Sequence, residues 1–321
     1  MSSSSVYLTR LIPDAGIARL IAAGLSVHLN PLARKLLPHE LRAEVGRHDA
    51  VICQLADRID EQTLAAAAPR CRVFATCAVG YDNIDLAAAK RLGITVTNTP
   101  DVLTEATADL AWTLLLAAAR RLGEAERFLR AGAWTGWGML DFLGVDVWGR
   151  TLGIVGAGRI GTAVARRGTG FGMRILYHDS EPRPAIDSLG AQRVPLPELL
   201  EASDFISLHT PLVPETRNLI DANAIARMKR GAILVNTSRG AVVDQDALIE
   251  ALRRGRIAGA GLDVYRDEPR IPRELLDLPN VVLAPHIGSA TIGTRARMSE
   301  LAAENVIAVL RGERPPTAVT G

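Results

Sequence analysis

The chain has 321 residues, 48% hydrophobic and 22% charged, which suits two globular domains with separate cores and excludes a disordered chain. A net charge of +2 is too small to mark a nucleic-acid or membrane surface. With aromatics at only 4%, a base-stacking platform is excluded as well.

In chain order, Val6 to Leu8 reads as a first strand, Ala15 to Ala23 as a helix ending at Gly24, and Leu25 to Leu29 as strand again. Pro38 to Val45 is helical, Ala50 to Gln54 is a buried strand, and Asp60 starts a helix that contains Thr63 and Leu64. Arg72 to Ala75 is strand, Ile84 to Arg91 helix, and Ile94 to Thr97 strand. Short apolar strands alternating with helices describe a parallel sheet with crossover helices. The first turn lacks a phosphate-binding glycine pattern, so this half is expected to be a flavodoxin-like partner domain. Pro100 sets a turn, and Asp101 or Thr104 can cap a long helix from Glu105 to Arg121. That helix is apolar nearly all round, so it should be buried on more than one side, against the second domain and a second subunit. The following segment, 133–147, carries Trp134 and Trp137 among glycines and suits an interface or lid as well as it suits simple packing.

From Thr151 a second series begins: GIVG, RILYH, DFISLHTP, AILVNTS, AGLDV and NVVLAP, six apolar strands separated by helices. At its head stands TLGIVGAGRIG, residues 151–161, a buried strand running into glycines at G-x-G-x-x-G spacing. Gly156 permits the tight turn, Gly158 lets backbone approach a pyrophosphate, and Gly161 lets the next helix pack on the sheet. The amides of Ala157, Arg159 and Ile160 then face two phosphates at a helix N-terminus. The second strand ends at Asp179, near the spacing expected for an acid that accepts hydrogen bonds from a ribose. A dinucleotide-binding Rossmann domain is therefore expected, NAD being favoured because Asp179 would repel the extra phosphate of NADP. Arg183 lies close by in the sequence and leaves NADP use open. Ser289 to Arg311 reads as a long helix that returns to the first domain, and the tail RPPTAVTG as irregular.

The expected architecture is thus α/β, two doubly wound parallel-sheet domains with a cleft between them: a discontinuous substrate domain, 1–100 plus 289–321, and a dinucleotide domain, 101–288. Cys53, Cys71 and Cys77 are odd in number and lack a metal-ligand spacing, so they read as core thiols of a reducing compartment, with no metal site. The start MSSSSVYLTR is not a signal peptide, and the apolar stretch Leu110 to Ala119 falls far short of the ~20 residues that span a bilayer. A soluble, cytoplasmic protein is expected.

Three polar residues fall at strand ends of the second series, where open α/β sheets bind ligands: Arg239 in NTSRG, Glu268 in YRDEP and His286 in APHIGS. Singly, an ion-pair arginine, a surface acid or a helix-capping histidine would explain each. Jointly they suit hydride transfer to a 2-oxo acid. Arg239 offers a planar cationic fork to a carboxylate or developing oxyanion, and His286 can donate a proton near neutral pH. Glu268 beside it would stabilise the imidazolium.

Six runs in one order resemble the D-isomer-specific 2-hydroxyacid dehydrogenases: VGYDNID (79–85), NTPDVLTEATADLA (98–111), GIVGAGRIG (153–161), NTSRGAVVD (236–244), GAGLDVYRDEP (259–269) and NVVLAPHIGSAT (280–291). The resemblance implies the catalytic trio Arg239, Glu268 and His286, and a substrate carboxylate on the backbone amides of Val79 and Gly80. It implies further contacts to substrate from Ser289 and Leu55, with Leu103 and Phe142 as other candidate pocket-lining residues. Thr104, Thr210, Pro211, Thr216, Thr237, Ser238, Asp263 and Gly288 would meet the cofactor or its pocket. Within the family the chain is most similar to glyoxylate/hydroxypyruvate reductases, through NTPDVLTEATADLAW, GAWTGW and GERPPTAV. A homodimer is implied too. Phosphonate-oxidising relatives usually carry a lysine in the loop that reads CAVGYDN here, and this chain has none there. The same fold also serves as an NAD-sensing corepressor, a non-catalytic alternative.

Overall fold

The computed structural model describes residues 3–32 and 34–320, and the chain divides into two compact units: residues up to Leu103 together with Ser289 onward, and Thr104–Gly288.

In the first unit the strands β1 (Ser5–Leu8), β2 (Ser26–Leu29), β3 (Ala50–Cys53), β4 (Val73–Thr76) and β5 (Thr95–Thr97) alternate with helices α1 (Asp14–Ala22), α2 (Pro38–Val45), α3 (Glu61–Ala67) and α4 (Leu86–Arg91). The sheet is wholly parallel in the order β2-β1-β3-β4-β5, the flavodoxin-like arrangement. Its register sets Leu8 beside Leu29 and Ile52, and Cys53 beside Thr76. The three central strands are buried on both faces, which is why they read as unbroken apolar runs. Asp60 and Asp85 begin α3 and α4 by accepting the amides of Thr63 and Ala88. A C-terminal helix (Ile292–Arg311) packs on α1 and on β3, β4 and β5. Gly16 makes the α1 contact possible: a Cβ there would lie 2.5 Å from the Ser299 carbonyl oxygen. This helix starts later than the apolar pattern suggests because Thr291 is its cap, accepting the Thr294 amide. The tail is not wholly irregular: Ala318 bridges Thr97 antiparallel, and the Val319 amide donates to the Val96 carbonyl at 2.8 Å, covering the β5 edge.

The second unit opens with α5 (Thr104–Ala119) and α6 (Leu122–Arg130). Helix α5 ends two residues short of the expected Arg121, whose φ of 52° is left-handed, and α6 beyond it was not foreseen. The apolar run ends at Ala119, while α6 has no buried residue of its own and gains nothing by continuing the α5 axis. There follow β6 (Thr151–Val155), α7 (Arg159–Thr169), β7 (Arg174–His178), α8 (Pro184–Asp187), β8 (Gln192–Arg193), α9 (Leu196–Ala202), β9 (Phe205–Leu208), α10 (Ala222–Arg227), β10 (Ile233–Asn236), α11 (Gln245–Arg253), β11 (Gly259–Leu262), α12 (Arg273–Leu276) and β12 (Val281–Leu283). The parallel sheet has seven strands, not six, in the order β12-β11-β10-β9-β6-β7-β8. The extra one, β8, is two exposed polar residues with no apolar signal to announce it. The sheet order reverses beside β6, at the β9–β6 boundary, and that is the position where doubly wound folds bind ligands.

Helix α5 packs on β10, β11, β12 and α7, burying Ala108, Ala111, Trp112, Leu114 and Leu115. Gly261 allows the approach: a Cβ there would sit 2.8 Å from Leu114 Cβ, so alanine would cost about 1–3 kcal/mol in forced packing. Trp112 stacks on Phe171 and donates its indole N–H to the Val164 carbonyl at 2.9 Å. The three thiols are free: Cys53 and Cys71 are buried in the core, and Cys77 packs on the other face of the first sheet from Cys53. No helix of the described residues is long and apolar enough to cross a membrane.

Candidate active site

The phosphate loop follows β6. Gly156 has a φ of +89°, and a Cβ there would press on the backbone of His209 and Thr210 at 2.8 Å. A Cβ at Gly161 would stand 2.1 Å from the Gly156 carbonyl oxygen, so the start of α7 can lie this close to the strand only without a side chain. Gly158 differs: it caps α7, and a Cβ would meet nothing within 4 Å. The fold itself does not need glycine at 158. An arriving phosphate does, since a methyl group would fill its approach to the helix N-terminus. The hydroxyls of Thr210 and Thr237, at the ends of β9 and β10, are buried without a hydrogen-bond partner. Orphaned hydroxyls at strand ends, beside a glycine cradle, fit a bound dinucleotide.

Asp179, one residue beyond β7, accepts the Ala157 amide at 2.9 Å and the Arg183 guanidinium at 3.0 Å. Burial pushes its carboxyl up, but those hydrogen bonds outweigh it and hold the group below its ordinary range. Arg193 fixes the same turn through the carbonyls of Asp179 and Ser180. Thr216 and Ser238 have their hydroxyls engaged locally. Thr216 donates to the Pro211 carbonyl at 2.6 Å, and Ser238 donates to Asn236 at 2.9 Å. Thr104 begins α5, and Arg159 and Ile160 lie in the first turn of α7.

The three candidate catalytic residues come together at the carboxyl ends of β10, β11 and β12. His286 Nδ1 lies 2.8 Å from Glu268 Oε2, and Glu268 Oε1 accepts the Tyr265 amide at 3.0 Å. Burial pushes the Glu268 carboxyl up, yet its bond to His286, the Tyr265 amide and the charge of Arg239 bring it below the ordinary value. Glu268 therefore stays a carboxylate. Arg239 is brought into its field by Gly240, whose missing Cβ would stand 1.9 Å from the Tyr265 carbonyl carbon. Asn236 holds the Arg239 carbonyl at 2.9 Å, and the Arg239 Nη1 donates to the Ser238 carbonyl at 2.8 Å.

His286 has a φ of +55°, a strained conformation for a residue with a side chain. Asp263 enforces it: its backbone carbonyl accepts the His286 amide at 2.9 Å, and its carboxylate accepts the amides of Ile287 and Gly288 at 2.7 and 2.8 Å. Asp263 is buried behind this loop, so it braces the histidine. Tyr265 donates to the Ala284 carbonyl at 2.8 Å and braces the same turn from below. Neither the bracing role of Asp263 nor that of Tyr265 was visible in the sequence. His209 was missed as well. It sits between β9 and Thr210, its ring within 2.8 Å of the Ser207 hydroxyl, and burial drives its pKa down to about 3.

In the first unit, the loop after β4 carries Val79 and Gly80. Asn98 donates to the Val79 carbonyl at 2.8 Å, and the Thr99 amide donates to the Ala78 carbonyl at 2.8 Å. Among the described residues the amides of Val79 and Gly80 have no acceptor. Leu55 is half-buried in the loop after β3, Leu103 is buried, and Ser289 precedes the C-terminal helix. Phe142 is in the second unit, edge-on to Phe128 with Arg121 over its ring. Among the described residues no three histidines, cysteines or acids gather as a metal site.

The family described as "D-isomer specific 2-hydroxyacid dehydrogenase, NAD binding domain" matches residues 112–288. A glyoxylate reductase of Thermococcus onnurineus is 52% identical over 98% of this chain and 95% of its own length, and that of Thermococcus kodakarensis is 53% identical over the same shares. Among solved structures, a glyoxylate reductase from Paecilomyes thermophila superposes with a TM-score of 0.88 at 34% identity, covering 99% of both chains. An NADPH-dependent glyoxylate/hydroxypyruvate reductase from Sinorhizobium meliloti, in complex with NADP and malonate, superposes with a TM-score of 0.87 at 36% identity over 99% of this chain and 97% of that one. With its glycine loop, its strand-end trio and these likenesses along nearly its whole length, the chain belongs to the D-isomer-specific 2-hydroxyacid dehydrogenases.

Proposed function

We propose that this protein reduces glyoxylate, hydroxypyruvate or a similarly small 2-oxo acid to the D-2-hydroxy acid with NADH, NADPH serving as a second donor. The observation that carries the reading is the His286–Glu268 pair within the field of Arg239, at strand ends of a sheet with a dinucleotide loop. The names of the relatives with about half their residues identical support the substrate class.

Glycines 156, 158 and 161 would hold the pyrophosphate, Asp179 a ribose, and Thr210, Thr237 and Thr104 the remainder of the cofactor. When bound, the reduced nicotinamide supplies a hydride to the carbonyl carbon. The chain's own residues do the rest. Arg239 turns its fork to the carbonyl oxygen as that oxygen gains charge. His286, with Nδ1 committed to Glu268, presents Nε2 and gives its proton to the same oxygen. Glu268 keeps the resulting ring oriented. Val79 and Gly80 offer their amides to the substrate carboxylate.

The first unit serves as the substrate domain and the second binds the dinucleotide. Three free thiols in or against the core suit a cytoplasmic home. The protein works as a homodimer, through α6 and the loop after it, where Leu122, Trp137, Leu140 and Trp148 are exposed on the described chain. A sedimentation mass twice the 34.3 kDa of one chain is the check on this point.

Following NADH oxidation with glyoxylate, hydroxypyruvate and pyruvate, and NAD reduction with phosphite, tests the reading. Turnover is expected with glyoxylate and hydroxypyruvate. Turnover with phosphite alone would point to a phosphonate dehydrogenase, and none with any substrate to a binding protein.

A further inference from the structure

Asn83 takes no part in the hydride or proton chemistry, yet its side chain joins two loops at the carboxyl ends of β3 and β4. The loop after β3 opens with a tight turn, in which the Asp57 amide donates to the Gln54 carbonyl at 3.0 Å and Leu55 holds the first corner. Asn83, in the loop after β4, donates through Nδ2 to both ends of that turn, the carbonyls of Gln54 at 3.2 Å and Asp57 at 2.8 Å. The turn is held from its other side too: the buried Asp57 carboxylate accepts the Gln54 amide at 2.8 Å and the Thr9 hydroxyl at 2.5 Å. Val79 and Gly80, whose amides have no acceptor among the described residues, lie just before Asn83 on the same loop.

Two features set this amide apart from ordinary loop packing. Both hydrogens of Nδ2 are used, so the group cannot turn over without setting Oδ1 against two carbonyl oxygens. In that fixed orientation Oδ1 is buried and meets no partner among the described residues. A buried acceptor left unmet is costly, and few native side chains carry one without a reason. The local backbone does not supply the reason, because it is pinned without the side chain. The Ile59 amide donates to the Asn83 carbonyl at 2.9 Å, and the Asp85 amide donates to the Ile59 carbonyl at 2.9 Å. What the side chain adds is a set spacing between the Leu55 turn and the amides of Val79 and Gly80.

We propose that Asn83 is a positioning residue for substrate specificity: it holds the Leu55 turn at a set spacing from the amides of Val79 and Gly80, and so limits the substituent that the 2-oxo acid can carry. This rests on the reading that these two loops receive the substrate. With the tie released, the turn gains freedom, the smallest acid loses its fit and a bulkier one gains room.

The test compares Asn83→Ala and Asn83→Gln with the wild type, using glyoxylate, hydroxypyruvate and 2-oxobutyrate as substrates. Ala should raise the glyoxylate KM about three- to tenfold, the value of one or two lost hydrogen bonds. The efficiency with 2-oxobutyrate relative to glyoxylate should rise by a similar factor. The kcat at saturating glyoxylate and the NADH affinity should stay near those of the wild type. Gln, which keeps the donors on a longer arm, should fall between the two. If melting curves show that the alanine variant does not fold, Asn83→Ser takes its place with the same expectation. An unchanged KM and an unchanged substrate ratio in a folded variant, or an equal loss for every acid together with weaker NADH binding, would overturn the proposal while leaving the activity itself in place. A wild type inert toward every 2-oxo acid would instead overturn the functional reading, and this proposal with it.

Discussion

Glu268 and His286 reach one another from separate strand-end loops, with Oε2 and Nδ1 2.8 Å apart, and the histidine holds a left-handed backbone to do so. The pairing decides which nitrogen works. A carboxylate accepts only, so Nδ1 must carry a hydrogen toward Glu268, and Nε2 is left for the substrate. The positive φ of His286 is held by Asp263, whose carbonyl and carboxylate together accept three successive amides, those of His286, Ile287 and Gly288. Strain at this point is thus confined by buried hydrogen bonds rather than relieved by a glycine.

The glycines of the phosphate loop divide into those the fold requires and one the ligand requires. Gly161→Ala should destabilise the protein by about 1–3 kcal/mol, because its methyl group meets a backbone oxygen. Gly158→Ala meets nothing and should leave stability within about 0.5 kcal/mol. Its NADH affinity should nevertheless fall on the order of tenfold. Thermal melts with NADH titrations decide this, and an unaltered NADH affinity in Gly158→Ala would show that no phosphate lies there.

Cofactor choice turns on Asp179. Its charge is held on the carboxylate by Arg183 and the Ala157 amide, and a 2′-phosphate brought beside it would be repelled. NADH should therefore be preferred to NADPH. Asp179→Ser, which removes the charge and leaves Arg183 available to a phosphate, should narrow the preference roughly tenfold or more. Kinetic efficiencies with both cofactors are the measurement, and an unchanged ratio would move the selectivity elsewhere.

Much of this was legible in the sequence. Glycine spacing, the strand before it and the acid after it marked the nucleotide loop, and period and length gave the alternating strands and helices. Arg239, Glu268 and His286 stood out because each follows an apolar strand. What stayed hidden depends on contacts between distant segments. Tyr265 reads as an ordinary core aromatic until its hydroxyl is seen on the Ala284 carbonyl. The strand β8 carries no apolar pattern, since its two residues are exposed at the sheet edge. Helix α6 went unforeseen because none of its residues is buried, so it leaves no apolar stripe facing a core.

His209 gives the protein an acid sensitivity that its composition does not announce. Burial lowers its pKa from the ordinary 6.5 to about 3, so between those values the unfolded chain binds a proton that the folded one refuses. Stability therefore rises with pH across that window and is lost as pH falls from about 6.5 toward about 3. His48, also lowered chiefly by burial, adds in the same direction. Melting temperatures over a pH series should fall less steeply for His209→Asn than for the wild type. Parallel slopes would mean that the histidine is accessible to protons in the fold.

The central claim is that His286 delivers the proton while the nucleotide loop acts independently of it. Glyoxylate-dependent oxidation of NADH, measured in His286→Gln beside direct titration of NADH binding, tests it most directly. Loss of about 10²–10⁴ in kcat with NADH affinity intact is the expected result. Turnover close to that of the wild type, or lost together with NADH binding, would contradict it.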